Sequence, residues 1–234
     1  MAIQFTSLQS IVLDLLNIVR AANISRSELI SPRQIEMWVH QYRALLIKQD
    51  LDKGRMINPD YIQELPGLQL EVVDRSAGME FPSGLYLLRT KLKLPKTIDL
   101  NYRSGFTFVG TVDGREIQFV PESRVRWQQY KKYTSGDNLA YLRSQHMYLV
   151  YPAPIEYISI RGIFEVPTEV GNFTNLHADY TYADWDTAYP IPITMVTTLK
   201  SMILKQELGM TVQAESDSTN DAVNKQQPNT VNQS

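Results

Sequence analysis

The feature that most constrains the fold is the stretch 148–167, YLVYPAPIEYISIRGIFEVP, in which apolar residues follow a period of two. Because alternate side chains of a strand share a face, and β-branched and aromatic residues favour strands, this stretch predicts β-sheet. Pro152 and Pro154 lack the amide hydrogen that a strand ladder needs, so two strands are expected. Apolar residues on both faces of 155–164 predict that the second strand is covered on both sides, by a helix and by other protein or a neighbouring subunit.

Composition excludes several classes of function. The 234-residue chain is long enough for a sizeable core, and its formal net charge of −2 argues against a dedicated nucleic-acid binder. Cysteine is absent, which excludes disulfides, thiolate catalysis and cysteine-ligated metal sites. The N-terminus has no cationic stretch, and Asp14 interrupts its apolar run, so we expect neither a signal peptide nor a membrane span. A protein that is made, used or assembled in a cytoplasm is expected.

Two helices are predicted at the front of the chain. Thr6 and Gln9 form a capping-box pattern for the first, while the second begins with Ser31 as N-cap and Pro32 at its first position and stops at Gly54. Their short connection predicts an antiparallel pair. Apolar residues recur at helical spacing in each helix: Leu8, Ile11, Val12, Leu15, Leu16 and Val19, then Ile35, Trp38, Val39, Tyr42, Leu45 and Leu46.

The middle of the chain predicts an antiparallel β region. Asn58-Pro59 and Leu65-Pro66-Gly67 punctuate the change from helix to sheet, after which the apolar period becomes two. Asp113-Gly114, with alternating apolar residues on either side, predicts a two-residue hairpin. Residues 139–143 are expected to pair with residues 147–151.

An irregular segment, the aromatic arm (168–189), follows the β region. Its aromatic residues need cover, so we expect it to lie across its own sheet or to clasp a neighbour rather than to be disordered. Pro190 and Pro192 then open a last helix that stops at Gly209. The aromatic residues of the arm are Phe173, Tyr180, Tyr182, Trp185 and Tyr189.

Together these elements predict an α+β fold. The N-terminal helix pair and the C-terminal helix pack with a central antiparallel β region, and a disordered polar tail ends the chain. Four parts are expected: a helical pair (1–57), the β region (58–167), the arm with the C-terminal helix packing back on the helical pair (168–210), and a flexible polar tail (211–234).

Candidate chemical sites are few. His40 and His146 lack sequence partners for a Ser-His-Asp arrangement, and no glycine-rich loop suits a phosphate, so we predict no catalytic residue, no cofactor and no enzyme activity. An acidic group could gather around a hard cation, but its spacing matches no calcium loop, so solvated acids are the simpler interpretation and no metal site is predicted. That group is His177, Asp179, Asp184 and Asp186.

A basic patch is interleaved with aromatic residues and could contact phosphates or stack on bases. Because the net charge is near zero, a solvated strand or a polar subunit contact is the favoured interpretation. The patch comprises Arg124, Arg126, Lys131 and Lys132, with Trp127, Tyr130 and Tyr133 between them.

Two segments, IEYISIRGIFEVPTEV and YPIPITMVTTLKSMILKQELGM, resemble structural proteins of short-tailed bacteriophages, in particular the crAss-like group. The acidic aromatic arm between them and a polar tail containing STNDAVN add to the likeness, and the element order is similar to that of a head-to-tail connector, a ring or adaptor protein of the neck. The resemblance implies a virion protein, assembled in the host cytoplasm, that forms a ring of commonly twelve copies under the portal. Such a ring joins the portal to the tail while DNA passes through its lumen, without a membrane.

The resemblance also implies the partners: copies of the chain itself, the portal, and other ring or tail proteins, with non-specific contact to DNA in the lumen. The arm aromatics would then clasp the adjacent subunit, and the basic patch would face DNA or a polar interface. Another head-completion or tail-tube protein is the alternative, and a small nucleic-acid-binding module that uses the basic patch is a third hypothesis.

Overall fold

The computed structural model describes residues 6–21, 30–73, 85–101, 104–127, 130, 137–176 and 185–209. This part of the chain has the predicted α+β architecture. Its helices are α1 (Leu8–Ala21), α2 (Pro32–Asp52), α3 (Glu122–Arg126) and α4 (Ile193–Gln206). Its strands are β1 (Gln63–Val72), β2 (Tyr86–Thr90), β3 (Phe106–Thr111), β4 (Gln118–Phe119), β5 (Leu139–Arg143), β6 (His146–Tyr151) and β7 (Tyr157–Gly162), with 3-10 helix at Pro59–Tyr61 and Pro167–Leu176.

Helices α1 and α2 begin at side-chain caps. Ser7, not Thr6, caps α1, because the backbone N–H of Ser10 donates to Ser7 Oγ at 3.2 Å. In α2 the predicted cap is confirmed, since the N–H of Gln34 donates to Ser31 Oγ at 3.2 Å. All six predicted apolar residues of α1 are buried.

The buried face of α2 is wider than predicted. Leu45 is exposed and Leu46 half-buried, whereas Arg43, Ile47 and Leu51 are buried. The reason is that α2 contacts two layers. One side packs in the helical core, while Ile47 and Leu51 pack on a second cluster with Tyr61, Ile98, Leu100 and Ile163 at the junction with the sheet.

A three-helix layer forms the first core. Helix α4 packs against both α1 and α2, through buried residues such as Val196, Leu199 and Ile203. The last residues of the arm, Tyr189 and Ile191, are buried in the same cluster. The chain thus returns to its N-terminal helices after completing the sheet.

The seven strands lie in the order β3-β7-β1-β2-β6-β5-β4. All neighbouring pairs are antiparallel except β4 and β5, which are parallel. Pro66-Gly67, expected to precede the first strand, lies inside β1, where the register with β7 shifts between Leu65 and Leu68. Gly67 has a φ of 62°, which suits a β-bulge, so the punctuation marks a bulge and not a strand end.

The turn at Asp113-Gly114 is present. It connects β3 and β4, the two edge strands of the sheet, and does not form a long hairpin. A single bridge, Gly110 to Glu116, pairs the two sides of the turn, and the chain then crosses to β5 as β4. The N–H of Ile117 donates to the carbonyl of Val109 at 2.7 Å. The sheet therefore curls until β3 and β4 meet, enclosing the second core.

Strand β7 is expected to be covered by a helix on one face and by other protein or a neighbouring subunit on the other. Within this chain one face is buried in the sheet core rather than under an α-helix, and cover of the other face by a neighbouring subunit stays a prediction. Ile158 and Ile160 are buried in the sheet core, while Arg161 on the opposite face is exposed. That face is polar because Glu64 of β1 accepts a hydrogen bond from Ser159 and pairs with Arg161. Strands β2, β5 and β6 are covered on both faces, because adjacent residues of each strand enter different cores, as Leu149 and Val150 of β6 do.

Candidate subunit and partner interfaces

The aromatic arm is held by its own chain at both described ends. Phe173 is half-buried against the sheet core, Trp185 is half-buried against the helical core, and Tyr189 is 3% exposed. Tyr180 and Tyr182 lie outside the described residues. Tyr189 is thus an intrachain anchor. Phe173 ties one described end of the arm to the sheet core, and Trp185 ties the other to the helical core.

Backbone hydrogen bonds fasten the second end of the arm beside the start of α1. Gln9 N–H donates to the carbonyl of Trp185 at 3.0 Å, and Tyr189 N–H donates to the carbonyl of Thr6 at 2.9 Å. Ser7 and Ala188 form an isolated antiparallel bridge between them. These contacts fasten the described end of the arm to the start of α1.

A buried arginine joins three parts of the chain. Arg43 of α2 is fully buried and donates from Nε to the carbonyl of Pro190 at 2.7 Å and from Nη1 to the carbonyl of Phe164 at 2.9 Å. Its guanidinium carbon lies 5.6 Å from the centre of the Tyr189 ring. Burial lowers the pKa of Arg43 to about 10, so the group stays charged at neutral pH and ties α2 to the end of β7 and to the arm.

His40 completes this cluster. Its Nδ1 lies 2.7 Å from the hydroxyl of Tyr189, and burial, followed by the charge of Arg43, lowers the pKa of His40 to about 4. Burial also raises the pKa of Tyr189, so the phenol keeps its proton and donates it to the neutral imidazole. Nε2 faces Glu36 Oε1 at 3.7 Å and has no hydrogen-bond partner in the described part of the chain.

The sequence did not predict this cluster. His40 was set aside as a catalytic residue and expected to be structural or exposed, without a named partner, and Arg43 was given no role. The available signal was their spacing: His40, Arg43 and Ile47 follow the i, i+3, i+7 positions of one helical face, so two polar residues stood where core residues were expected. Their partners are 121 to 149 residues away along the chain, which no local pattern specifies.

The basic patch is partly described. Arg124 is exposed on α3, and the side chains of Trp127 and Tyr130 are 67% and 71% exposed. Their ring centres lie 6.0 Å apart with a tilt of 51°. We call Arg124, Trp127 and Tyr130, which are spaced three residues apart, the RWY surface. The side chain of Arg126, together with Lys131 and Lys132, lies outside the described residues.

The RWY surface has a rigid base. Val125 points from α3 into the third core, where it is 6% exposed and packs with Val120, Leu139 and Tyr141. The short helix is thus fixed on the outer face of the sheet. Trp127 at the C-terminal end of α3, and Tyr130 beyond it, carry the exposed aromatic rings.

A groove of about 650 Å³, the arm groove, lies between the Pro59–Tyr61 turn, the start of β1 and the arm. Much of its lining is apolar, including Ile62, Val170 and Ile193, and it contains the acids Asp60 and Glu64. No lysine or arginine occurs among the described residues that line it. Ile193 is 66% exposed at this groove.

The described residues bring together no group of three metal-ligating side chains. Of the acidic group considered above, Asp186 is exposed, whereas His177, Asp179 and Asp184 lie outside the described residues. No helix in the described part of the chain is long and apolar enough to span a membrane.

The chain matches a known protein family. The family model described as phage tail ring protein 2, from the crAss-like phages, matches residues 10–227. The matched region includes the sheet, the arm, the RWY surface and most of the helical layer. No curated protein matches the chain.

Proposed function

Because the chain belongs to the phage tail ring protein 2 family of crAss-like phages, a family of structural virion proteins, we propose that it forms an oligomeric ring in the phage neck. The ring, commonly of twelve copies, connects the portal to the tail and lets DNA pass. Assembly takes place in the host cytoplasm, and the chain has no enzymatic role.

The observation that carries this proposal, beyond the family, is the amount of large apolar surface left in water. Met56 is 91% exposed, and Trp127, Tyr130 and Ile193 are each about two-thirds exposed or more. Single exposed apolar residues are common on protein surfaces, but Trp127 and Tyr130 adjoin each other, with ring centres 6.0 Å apart, and aromatic residues are enriched at interfaces. Neighbouring copies and adjoining neck proteins would cover them in a ring.

The charge of the chain suits a passage for DNA. With a formal net charge of −2, a ring of copies would not attract phosphates strongly as a whole, so DNA could move past it. Arg124, Arg126, Lys131 and Lys132 would supply at most local, non-specific contact. A dedicated nucleic-acid module would need a larger excess of positive charge.

The four expected parts acquire separate roles in this proposal. The helical pair (1–57) and the arm with α4 (168–210) form one unit that packs on the β region (58–167). The polar tail (211–234) binds the portal or a second ring protein. Tyr189 anchors the arm, whereas Phe173, Tyr180, Tyr182 and Trp185 contact the adjacent subunit.

Electron microscopy of purified virions at side-chain resolution tests the proposal. We expect density for this chain as a closed ring directly below the portal, and mass photometry of the purified chain should show multiples of its 26.8 kDa mass. Density at the far end of the tail tube would instead make it a tail-tube protein. Absence from the virion, together with a strictly monomeric chain, would refute the ring.

A further inference from the structure

We propose that the RWY surface of one copy docks in the arm groove of the next copy, and that this head-to-tail contact builds the ring. The inference rests on the proposed function because it needs copies arranged in a ring. It adds the two surfaces that meet, neither of which follows from membership of the family.

The RWY surface has the composition of a binding hot spot. Tryptophan, tyrosine and arginine are the residues that most often dominate interface energies when they enter a desolvated pocket. Trp127 and Tyr130 leave about two-thirds of their side chains in water, on a base that Val125 fixes to the sheet. Because tryptophan and tyrosine side chains have only two rotatable bonds, this pair loses little conformational entropy on binding.

The arm groove has room for the two rings of the RWY surface and an acidic side chain to face Arg124. Its volume of about 650 Å³ is ample for the rings of Trp127 and Tyr130, and its apolar lining would replace the water around them. Asp60 is exposed in the lining and would face Arg124 of the docked copy. No lysine or arginine occurs among the described lining residues, but Glu64 is paired with Arg161, so Asp60 is the proposed partner of Arg124.

The two surfaces belong to different elements, which determines the symmetry of the contact. The RWY surface lies on α3 and the turn after it, whereas the groove lies at the start of β1, the end of the arm and the start of α4. They share no residue, so each copy would use one surface toward each neighbour. Such a heterologous contact repeats around an axis and closes into a ring when the rotation fits.

A nucleic acid is the less favoured occupant of the RWY surface. Arg124 is its one described cation, and the whole chain is slightly acidic. Backbone binding to nucleic acid requires several neutralised phosphates. DNA binding is therefore an alternative outcome of the test and is not part of the proposal.

The first experiment is a charge exchange followed by mass photometry. Arg124→Glu and Asp60→Lys should each weaken subunit association at least about tenfold, and the combined variant should recover most of it. Lys93→Glu, an exposed cation elsewhere on the chain, is the matched control and should assemble normally. Circular dichroism should show unchanged melting, because the substituted side chains are exposed.

Mixing variants tests the direction of the contact. Trp127→Ala with Tyr130→Ala disables the RWY surface and leaves the groove intact, while Asp60→Lys leaves the RWY surface intact. Each preparation alone should be monomeric, and an equimolar mixture should stop at dimers, because one working contact remains per pair. Rings in the mixture, or in any single variant, would overturn the proposed contact.

The absence of cysteine allows a direct test of proximity. A chain carrying Ser123→Cys and Ile193→Cys should form a ladder of disulfide-linked multimers, whereas Ser123→Cys with Thr198→Cys, exposed on the same helix α4, should not. If the wild type is monomeric in solution, the same pairs are oxidised in virions, where a missing ladder overturns the contact.

The outcomes separate the two proposals. Intact rings with every surface variant would refute the docking of the RWY surface while leaving the ring function in place. A wild-type chain absent from virions would refute the ring itself. Loss of DNA binding, with unchanged subunit association, in Arg124→Glu would assign the RWY surface to nucleic acid and overturn the inference.

Discussion

His40 should make the stability of this protein fall in mild acid. Its pKa is about 4 in the folded chain and 6.5 as the ordinary value expected in the unfolded chain. Between these values the unfolded state binds more protons, so the free energy of unfolding decreases as pH falls through this window and the loss is complete below about pH 4. Above pH 6.5 the histidine is neutral in both states and has no effect.

The magnitude follows from the interval between the two values. It spans about 2.5 pH units at about 1.36 kcal/mol each, so full protonation removes about 3 kcal/mol, of which about 2 kcal/mol is lost by pH 5. That is a large part of the stability of a typical domain. The physical cause is that a protonated imidazole would be buried beside the charge of Arg43 and could no longer accept the Tyr189 proton.

Urea unfolding at pH 7.5 and pH 5 measures this effect. The wild type should lose about 2 kcal/mol more than His40→Gln, whose amide can accept from the Tyr189 hydroxyl but does not titrate. His146→Gln, which removes a histidine elsewhere, should retain the loss attributable to His40. Parallel pH dependence in the wild type and His40→Gln, or an NMR titration of His40 near pH 6.5, would refute the reasoning.

Four further substitutions test the fold, each by the free energy of unfolding in urea. Arg43→Ala should cost about 3 to 5 kcal/mol, because it removes two charge-assisted hydrogen bonds and leaves buried carbonyls unpaired; a cost below 1 kcal/mol would show that the arginine is not the joint between layers. Leu15→Ala, in the helical core, should cost about 2 to 5 kcal/mol, and Ser31→Ala about 1 kcal/mol through loss of the helix cap. Gly110→Ala should cost about 1 to 3 kcal/mol, since its Cβ would lie 2.5 Å from the carbonyl oxygen of Arg115; an unchanged stability would contradict the tight closure of the sheet edges.

Local patterns specified much of the fold. The six apolar residues of α1 and the cap at Ser31 follow from spacing and side-chain chemistry over a single helical turn, and both are confirmed. The reversal at Asp113-Gly114 follows from a glycine that tolerates positive φ. These features depend on neighbours within a few residues, which a sequence displays directly.

Other features depend on distant contacts and were missed. Pro66-Gly67 ends a strand in most contexts, but here β7 pairs on both sides of it, so the dipeptide became a bulge. The burial of Arg43 is decided by the arm and by the residues after β7, more than one hundred residues further along the chain. Of the candidate interface, the sequence identified Arg124 and the arm aromatics but not the groove, because the groove exists only after three separate segments come together.

The meeting of β3 and β4 at the Asp113-Gly114 turn limits strand pairing between neighbouring copies of the chain. Exposed edge strands can pair with edge strands of other molecules and cause aggregation. The risk rises when many identical chains are packed side by side. Here the two edges are joined beside the turn within one molecule, where the Ile117 amide donates to the Val109 carbonyl. Recognition between copies is then left to side chains, whose shape and charge can terminate an array at a fixed number where backbone pairing would let it grow without limit.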